Sequence, residues 1–374
     1  MSSSAAGDPL PFLFRPLTIR AVTFRNRIIL SPMCQYCAQD GHAGAWHFAH
    51  HGRFSLGGIG GALVEASAVT RDGRITPGCL GVYDDSQLPG LRQIVSIYHA
   101  QTIPVGIQLA HSGRKGSAAV PLKGAAPLDP SQAWETVSAS AIAMMQGWPT
   151  PRALDERGIE DLIAAFAAAA ARAVAAGFDF VEIHGAHGYL INSFLSPLGN
   201  HRRDRWGGES LENRMRLALR VTEAIRNVLP QGMPLFYRTS SVDGIEGGVS
   251  LEDTVALARE LRIRGTDLID CSSGGITGPS GRALTQPSPG YLVPYARGVR
   301  SDAQISTMAV GLIVTAAQAE EVIASGSADL VALGRQLLDD PNFAYHAARE
   351  LGHPRPFEVL PAAYAFFLER RRLS

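Results

Sequence analysis

The stretch His184-Gly-Ala-His187-Gly-Tyr189 places two imidazoles and a phenol close together in the chain. Converging on one point, such groups can hold a carbonyl or nitro oxygen and protonate a neighbouring carbon. A metal-binding reading of the same histidines needs further ligands, and a purely structural one needs none. Cys34-Gln35-Tyr36-Cys37, followed by His47, His50 and His51, invites zinc. The spacing is short for a finger, however, and those histidines fall in an expected helix. A thioredoxin-type cysteine pair would belong to a different fold. Cys34 is therefore the functional candidate and Cys37 a packing residue. Gln108 and Arg238 together offer donors to a flat, hydrogen-bonding ring, and Arg238 can stabilise negative charge that develops on such a ring as it is reduced. Each alone also reads as a satisfied polar group at a rim. Gly311, Gly334 and Arg335 suit an anion, because glycine admits backbone N–H groups and arginine adds a bidentate contact. The same glycines serve equally well as tight turns.

These residues acquire a common address once the elements are drawn. Eight apolar runs, 27–33, 61–69, 103–109, 178–184, 234–238, 267–272, 305–311 and 329–334, alternate with helix-like stretches. Alternating strands and helices imply βαβ units and a parallel sheet. The expected fold is α/β, a single (β/α)8 TIM barrel over residues 1–374, whose site lies at the C-terminal strand ends. All the candidates above fall at or just beyond those ends. The loops after strands seven and eight are the usual phosphate site of such a barrel. Strand one ends Ser31-Pro32-Met33-Cys34, where barrel metallohydrolases carry a His-x-His, so no metal is expected. Residues 10–26 should close the barrel floor.

Helices are expected at 46–56, 87–101, 160–176 with Gly177 as C-cap, 211–228 with Ser210 as N-cap, from Ser250 onward, 315–325, and 341–351 with Pro341 in its first turn. Long connections follow strand three (111–157) and strand four (188–209), as expected of loops that carry function. Residues 1–11 are expected to be flexible, 274–291 to form a mobile surface loop, and 355–374 to form a tail at a subunit interface.

Composition narrows the partners. The formal net charge is +0 and no basic stripe stands out, which argues against nucleic acid and anionic membranes. The first nine residues lack a basic region followed by an apolar one, and no apolar run is long enough to span a bilayer. Four cysteines in a chain of 374 residues make no disulfide framework, which fits a reducing cytoplasm.

Several ordered motifs resemble the Old Yellow Enzyme family of FMN-dependent ene-reductases and NADPH dehydrogenases, and within it the xenobiotic reductase A-like bacterial branch. They are Ser31-Pro-Met-Cys-Gln-Tyr36, Val64-Glu-Ala-Ser-Ala-Val-Thr70, Asp72-Gly-Arg-Ile-Thr76, Gly106-Ile-Gln-Leu-Ala-His111-Ser-Gly-Arg-Lys115, His184 to Leu190, Gly207-Gly208 with Glu212-Asn-Arg214, and Gly311 with Gly334-Arg335. The resemblance implies that Ser31, Pro32, Met33, Cys34, Ala66, Gln108 and Arg238 line a non-covalently bound FMN. Gly311, Gly334 and Arg335 would hold its phosphate. His184 and His187 would bind the substrate oxygen, Tyr189 would donate the proton, Tyr36 would contact the substrate, and Cys34 would tune the flavin. It further implies ping-pong reduction of an activated C=C bond in an unsaturated carbonyl, nitro or imide compound, with NADPH or NADH as hydride donor to flavin N5. A homodimer or higher homo-oligomer is expected. In relatives a C-terminal arginine or tryptophan enters the neighbouring subunit's site. Here Phe367 stands at that place, or, with Phe366, simply anchors the tail in an interface.

Three rivals differ in what they require. A metal-dependent barrel hydrolase needs ligands that strand one lacks. A Schiff-base aldolase needs a lysine at a strand end, and neither Lys115 nor Lys123 ends one. A flavin-storage protein needs no proton donor, which leaves His184, His187 and Tyr189 without a purpose.

Overall fold

The computed structural model describes residues 10–278 and 287–371. Eight parallel strands close into a barrel: β1 (Ile28–Leu30), β2 (Gly61–Ala68), β3 (Val105–Ala110), β4 (Phe180–Gly185), β5 (Leu235–Ser240), β6 (Leu268–Ser272), β7 (Ser306–Ala309) and β8 (Leu330–Leu333). Each lies within or overlaps an expected run, and β8 returns to pair with β1. Helices α1 (Ala45–Ser55), α2 (Leu88–His99), α3 (Glu156–Ala176), α4 (Leu211–Val228), α5 (Leu251–Ile263), α6 (Val293–Ala303), α7 (Ala316–Ala324) and α8 (Phe343–Glu350) follow the strands in turn.

Alternation along the strands divides the interior. Phe180, Phe236, Leu268, Met308 and Leu330 form an apolar cluster separate from the larger core, which includes Val181, Ile183, Leu235 and Ile269 on the opposite strand faces. Phe24, from the hairpin of Leu17–Ile19 and Val22–Phe24, is fully buried in that inner cluster. Its ring meets Phe180 edge-on at 5.5 Å and so plugs the barrel floor.

Where helix limits differ from expectation, capping explains it. α3 starts a turn early because the Asp155 carboxylate accepts the Gly158 N–H at 2.8 Å. α8 starts after Asn342, leaving Pro341 outside. α6 was hidden behind a Gly/Pro/Ser-rich stretch, although Pro294 in its first turn marks it. Residues 279–286 of the expected mobile loop, 1–9 of the expected flexible start and 372–374 of the tail lie outside the described residues. Among the described residues, no helix is long and apolar enough to cross a membrane.

Candidate active site

The inner apolar layer gives way to a polar one toward the C-terminal strand ends. Parallel register pairs Gln108 of β3 with Glu182 of β4, His184 of β4 with Arg238 of β5, and Arg238 with Asp270 of β6. Gln108 Nε2 donates to Glu182 Oε1 at 2.8 Å. Arg238 Nη1 lies 3.1 Å from Asp270 Oδ2 and 3.3 Å from Ser31 Oγ. Burial, followed by the nearby Asp270 carboxylate, pushes the Glu182 carboxyl up to about 8. Burial also raises Asp270, with the Arg238 guanidinium opposing it. Arg238 Nε is buried without a hydrogen-bond partner.

One turn higher, β4 ends in the histidine pair. His184 and His187 rings meet nearly perpendicularly with centroids 5.1 Å apart. Burial holds both imidazoles well below their usual range, and Arg238 and Lys115 add to the effect, so both are neutral near pH 7. His184 Nδ1 accepts the Ala186 N–H, which puts its proton on Nε2. That Nε2 lies 3.4 Å from His187 Nδ1, and His187 Nε2 lies 2.7 Å from Ser272 Oγ. A serine hydroxyl either accepts or donates. If it accepts, the chain His184–His187–Ser272 is a relay. If it donates, His187 carries its proton on Nδ1, and two N–H groups converge on one point, as a developing oxyanion requires.

The backbone that turns this corner is strained. His187 has φ +62 and Gly188 φ +72. Non-glycine residues at positive φ cluster at functional sites. The Gly188 N–H is taken by Asn192 Oδ1 at 2.7 Å, and the His187 N–H by Ser240 Oγ at 2.8 Å. Lys115 Nζ, itself buried, ties the His187 carbonyl to that of Gly275, each at 2.8 Å. Tyr189 then caps the short helix Leu190–Leu195, with its ring edge-on to His184 at 4.9 Å and 5.4 Å from Lys115 Nζ.

On the facing wall, Glu65 of β2 is 2 % exposed and accepts the Gln35 N–H at 3.0 Å, with His47 Nε2 3.5 Å away. This holds the turn of Cys34 and Tyr36, whose φ is +55. Burial, then the Glu65 carboxylate, raises the Cys34 thiol well above its ordinary value, so it is not a thiolate nucleophile at neutral pH. Burial likewise raises the Tyr36 phenol.

A cavity of about 630 Å³ opens between these walls. Ser31, Pro32, Met33, Tyr36, His187, Arg238, Gly311, Gly334 and Arg335 line it, while Cys34, Ala66 and Gln108 lie off its surface. A Cβ on Gly311, whose φ is +109, would come 2.9 Å from Leu292, and one on Gly334 would come 3.2 Å from Met33 Sδ. Position 311 therefore needs glycine, whereas a side chain at Gly334 would only crowd Met33, and both residues line the cavity. The volume, the glycine cradle beside Arg335 and the unpartnered Arg238 Nε fit FMN.

Other expected residues go elsewhere. Phe367, at 72 % exposure on the tail helix Ala362–Leu368, is in neither this cavity nor the smaller one beside Tyr189. His51 Nδ1 bonds the Tyr98 hydroxyl at 2.9 Å and Cys37 is exposed, so the CxxC and its following histidines do not converge. Among the described residues, no group of three His, Cys, Asp or Glu side chains is placed to hold a metal. Four contributors escaped the sequence reading: Glu182, Asp270, Glu65 and Lys115. The signal existed for the three acids, each of which interrupts an otherwise apolar strand.

Residues 12–353 match the model of the NADH:flavin oxidoreductase / NADH oxidase family. An NADPH dehydrogenase of Geobacillus sp. (strain WCH70) is 44% identical over 342 residues, covering 91% of this chain and 94% of the relative. The NADPH dehydrogenase of Bacillus subtilis (strain 168) is 40% identical over 349 residues, covering 93% and 97%. Among solved structures, morphinone reductase superposes with a TM-score of 0.77 at 25% identity, covering 99% of this chain and 100% of that one.

Proposed function

The chain belongs to the NADH:flavin oxidoreductase / NADH oxidase family as an FMN-dependent NADPH dehydrogenase of the Old Yellow Enzyme type, and from that premise we propose that it reduces the activated C=C bond of unsaturated carbonyl, nitro or imide compounds. The observation that carries the proposal is the neutral His184–His187 pair with Tyr189 beside it, at the rim of a cavity suited to FMN. When bound, FMN supplies a ring that takes electrons from NADPH and passes them to the acceptor, so that the two substrates alternate in ping-pong order.

The chain's own residues supply the rest. Ser31, Pro32, Met33 and Arg238 line the cavity and would hold the ring non-covalently, with Cys34, Ala66 and Gln108 off its surface. Gly311, Gly334 and Arg335 take the phosphate. Arg238, a cation held against a buried carboxylate, would offer positive charge to the bound ring. The histidine N–H groups bind the acceptor's oxygen and draw charge onto it, which leaves the β-carbon electrophilic; hydride addition there then makes the α-carbon basic. Tyr189, whose phenol stands beside His184, protonates that carbon. Tyr36 contacts the acceptor, and the protonated thiol of Cys34 adjusts the ring's potential. The exposed aromatic residues Tyr364, Phe366 and Phe367 support self-association through the tail.

Purified protein should be yellow, and phenol should induce a charge-transfer band that His184→Ala and His187→Ala both weaken. A colourless, metal-bearing protein would point to a hydrolase instead. A yellow protein that takes electrons from NADPH and returns none to an enone would leave only the flavoprotein part standing.

A further inference from the structure

Two buried acids and one cation share the barrel interior beneath the cavity. Glu182 of β4 and Asp270 of β6 are fully buried, and neither lines the cavity. Arg238 of β5 is buried too, yet it does line it. Of the three, Arg238 alone therefore meets whatever occupies that space.

Strand register explains the placement. Asp270 pairs with Arg238 on one side and with Met308 of β7 on the other, while Glu182 pairs with Gln108 of β3 and Phe236 of β5. Alternation puts Phe180, Phe236 and Leu268 on the same inner face two residues deeper or alongside, so the floor under the pair is apolar. The groups facing the pair are few among the described residues. β5 brings the Arg238 guanidinium, β3 the neutral amide of Gln108, and β4 the neutral imidazole of His184 one alternation higher. Ser31 beyond β1 offers a hydroxyl to Arg238, and Glu65 of β2 is turned to the Gln35 N–H and His47. β7 and β8 add only Met308, Leu330 and Ala332.

The donors do not suffice for two carboxylates. Glu182 Oε1 accepts the Gln108 amide, but Oε2 has no hydrogen-bond partner. Asp270 Oδ2 lies 3.1 Å from Arg238 Nη1 as an ion pair, and neither Asp270 oxygen receives a directed hydrogen bond. A buried carboxylate without donors is unfavourable, and a proton removes its charge. Burial and then the Asp270 carboxylate push Glu182 up to about 8, and burial raises Asp270 against the pull of Arg238. Acids that interact in this way titrate as a pair.

We propose that Glu182 and Asp270 are positioning residues that hold one proton between them, and that this proton sets how much positive charge Arg238 presents to the flavin ring above it. The inference rests on the reading that places FMN against Arg238. With the proton in place, one carboxylate balances the guanidinium and the layer is neutral. Without it, two carboxylates outweigh one cation. Electrons placed on the ring add negative charge beside the layer, so reduction draws the proton in and reoxidation releases it. In the layer only an O–H bond forms or breaks. The proton comes from solvent and returns to it, and the electrons are those that NADPH supplies and the acceptor removes.

The midpoint potential of the FMN-loaded protein, read by dye-mediated spectroelectrochemical titration across pH, tests this. Below about 8 the pair holds its proton in both oxidation states, so wild type and Glu182→Gln should follow parallel lines. Above it, reduction of wild type should take up one proton more than reduction of the variant. That proton shifts the equilibrium tenfold per pH unit, an extra slope of about 30 mV per unit for a two-electron couple. Glu182→Gln keeps an acceptor for Gln108 Nε2 and should lose the extra slope, whereas Glu182→Asp should retain it. Asp270→Asn removes the like charge, so Glu182 holds its proton less tightly and the steep segment should move to lower pH. A merely structural pair would change the melting temperature of these variants and leave the slopes alone. Equal slopes in wild type and Glu182→Gln over the whole range would overturn the proposal. Arg238→Leu/Asp270→Leu separates that failure from a failure of the reading beneath it: a lowered potential keeps the ring against Arg238, and an unchanged one removes it from there.

Discussion

Strands β3 to β6 send Gln108, Glu182, His184, Arg238 and Asp270 into a buried polar layer, whereas β7 and β8 lead into Gly311 and Gly334 beside one exposed arginine, Arg335. In the first half, side chains do the work and burial sets their protonation: neutral imidazoles, a largely protonated Glu182, and one guanidinium over a carboxylate. In the second half, backbone and empty space do the work, and the one charge faces water. A buried ionic layer is costly to break, because removing one partner strands the other. A glycine cradle gives little when a solvated charge is lost from it. The difference predicts where each kind of substitution registers: in stability and chemistry on one side, in cofactor retention on the other.

Arg238→Leu should have the largest effect. It leaves Asp270 buried and unpaired, at a cost of about 3–5 kcal/mol in folding free energy. Thermal unfolding should show the loss, and Arg238→Leu/Asp270→Leu should recover much of it. A single variant as stable as wild type would mean the layer is wetter than its burial indicates.

Tyr189→Phe should come next, and in rate rather than stability. Loss of a positioned acid should slow reoxidation by cyclohexenone on the order of 10²-fold, while reduction by NADPH stays near the wild-type rate in stopped flow. Nitroalkenes should lose less, since solvent can protonate a nitronate. Equal slowing of both half-reactions would assign Tyr189 to the pocket wall.

Glu182 gives the comparison a pH signature. Its folded-state pKa of about 8 lies above the ordinary glutamate value of 4.5, so the native state holds a proton the unfolded chain has released. Its contribution to stability is therefore full below about 4.5, falls as pH rises through the window to about 8, and is level above. Glu182→Gln keeps the acceptor for Gln108 and removes the titration. The variant should gain in melting temperature over wild type at pH 8 and show little gain at pH 5, and a parallel shift at both would refute the assignment.

Arg335→Ala should be the mildest. The side chain is solvated, so its loss should cost about 1 kcal/mol, roughly fivefold in FMN affinity by equilibrium dialysis. A loss of tens-fold would show that the phosphate end depends on its charge as strongly as the other half does.

Much of this was legible along the chain. Eight apolar runs of strand length, alternating with capped helices, carried the barrel, because βαβ units with buried strands leave few other closures. The strand ends then carried the site, since this fold exposes reactive groups only there. Ser210 and Ser250 could be read as N-caps because a short polar side chain before an apolar periodic run has one local use, and each accepts a backbone N–H.

Lys115 was not legible, because a lysine five residues past a strand end looks solvated until two carbonyls from loops 72 and 160 residues away close over it. Local sequence cannot state such a separation, nor can it state register. That His184 meets Arg238, and Arg238 meets Asp270, follows from how β4, β5 and β6 are staggered. The chemistry-bearing residues and the fold that gathers them were thus written in residue types and spacing. Their protonation states, the wall that Glu65 holds opposite them, and the chamber beside Tyr189 were decided only in three dimensions, because desolvation and long-range contact exist only once the chain has closed on itself.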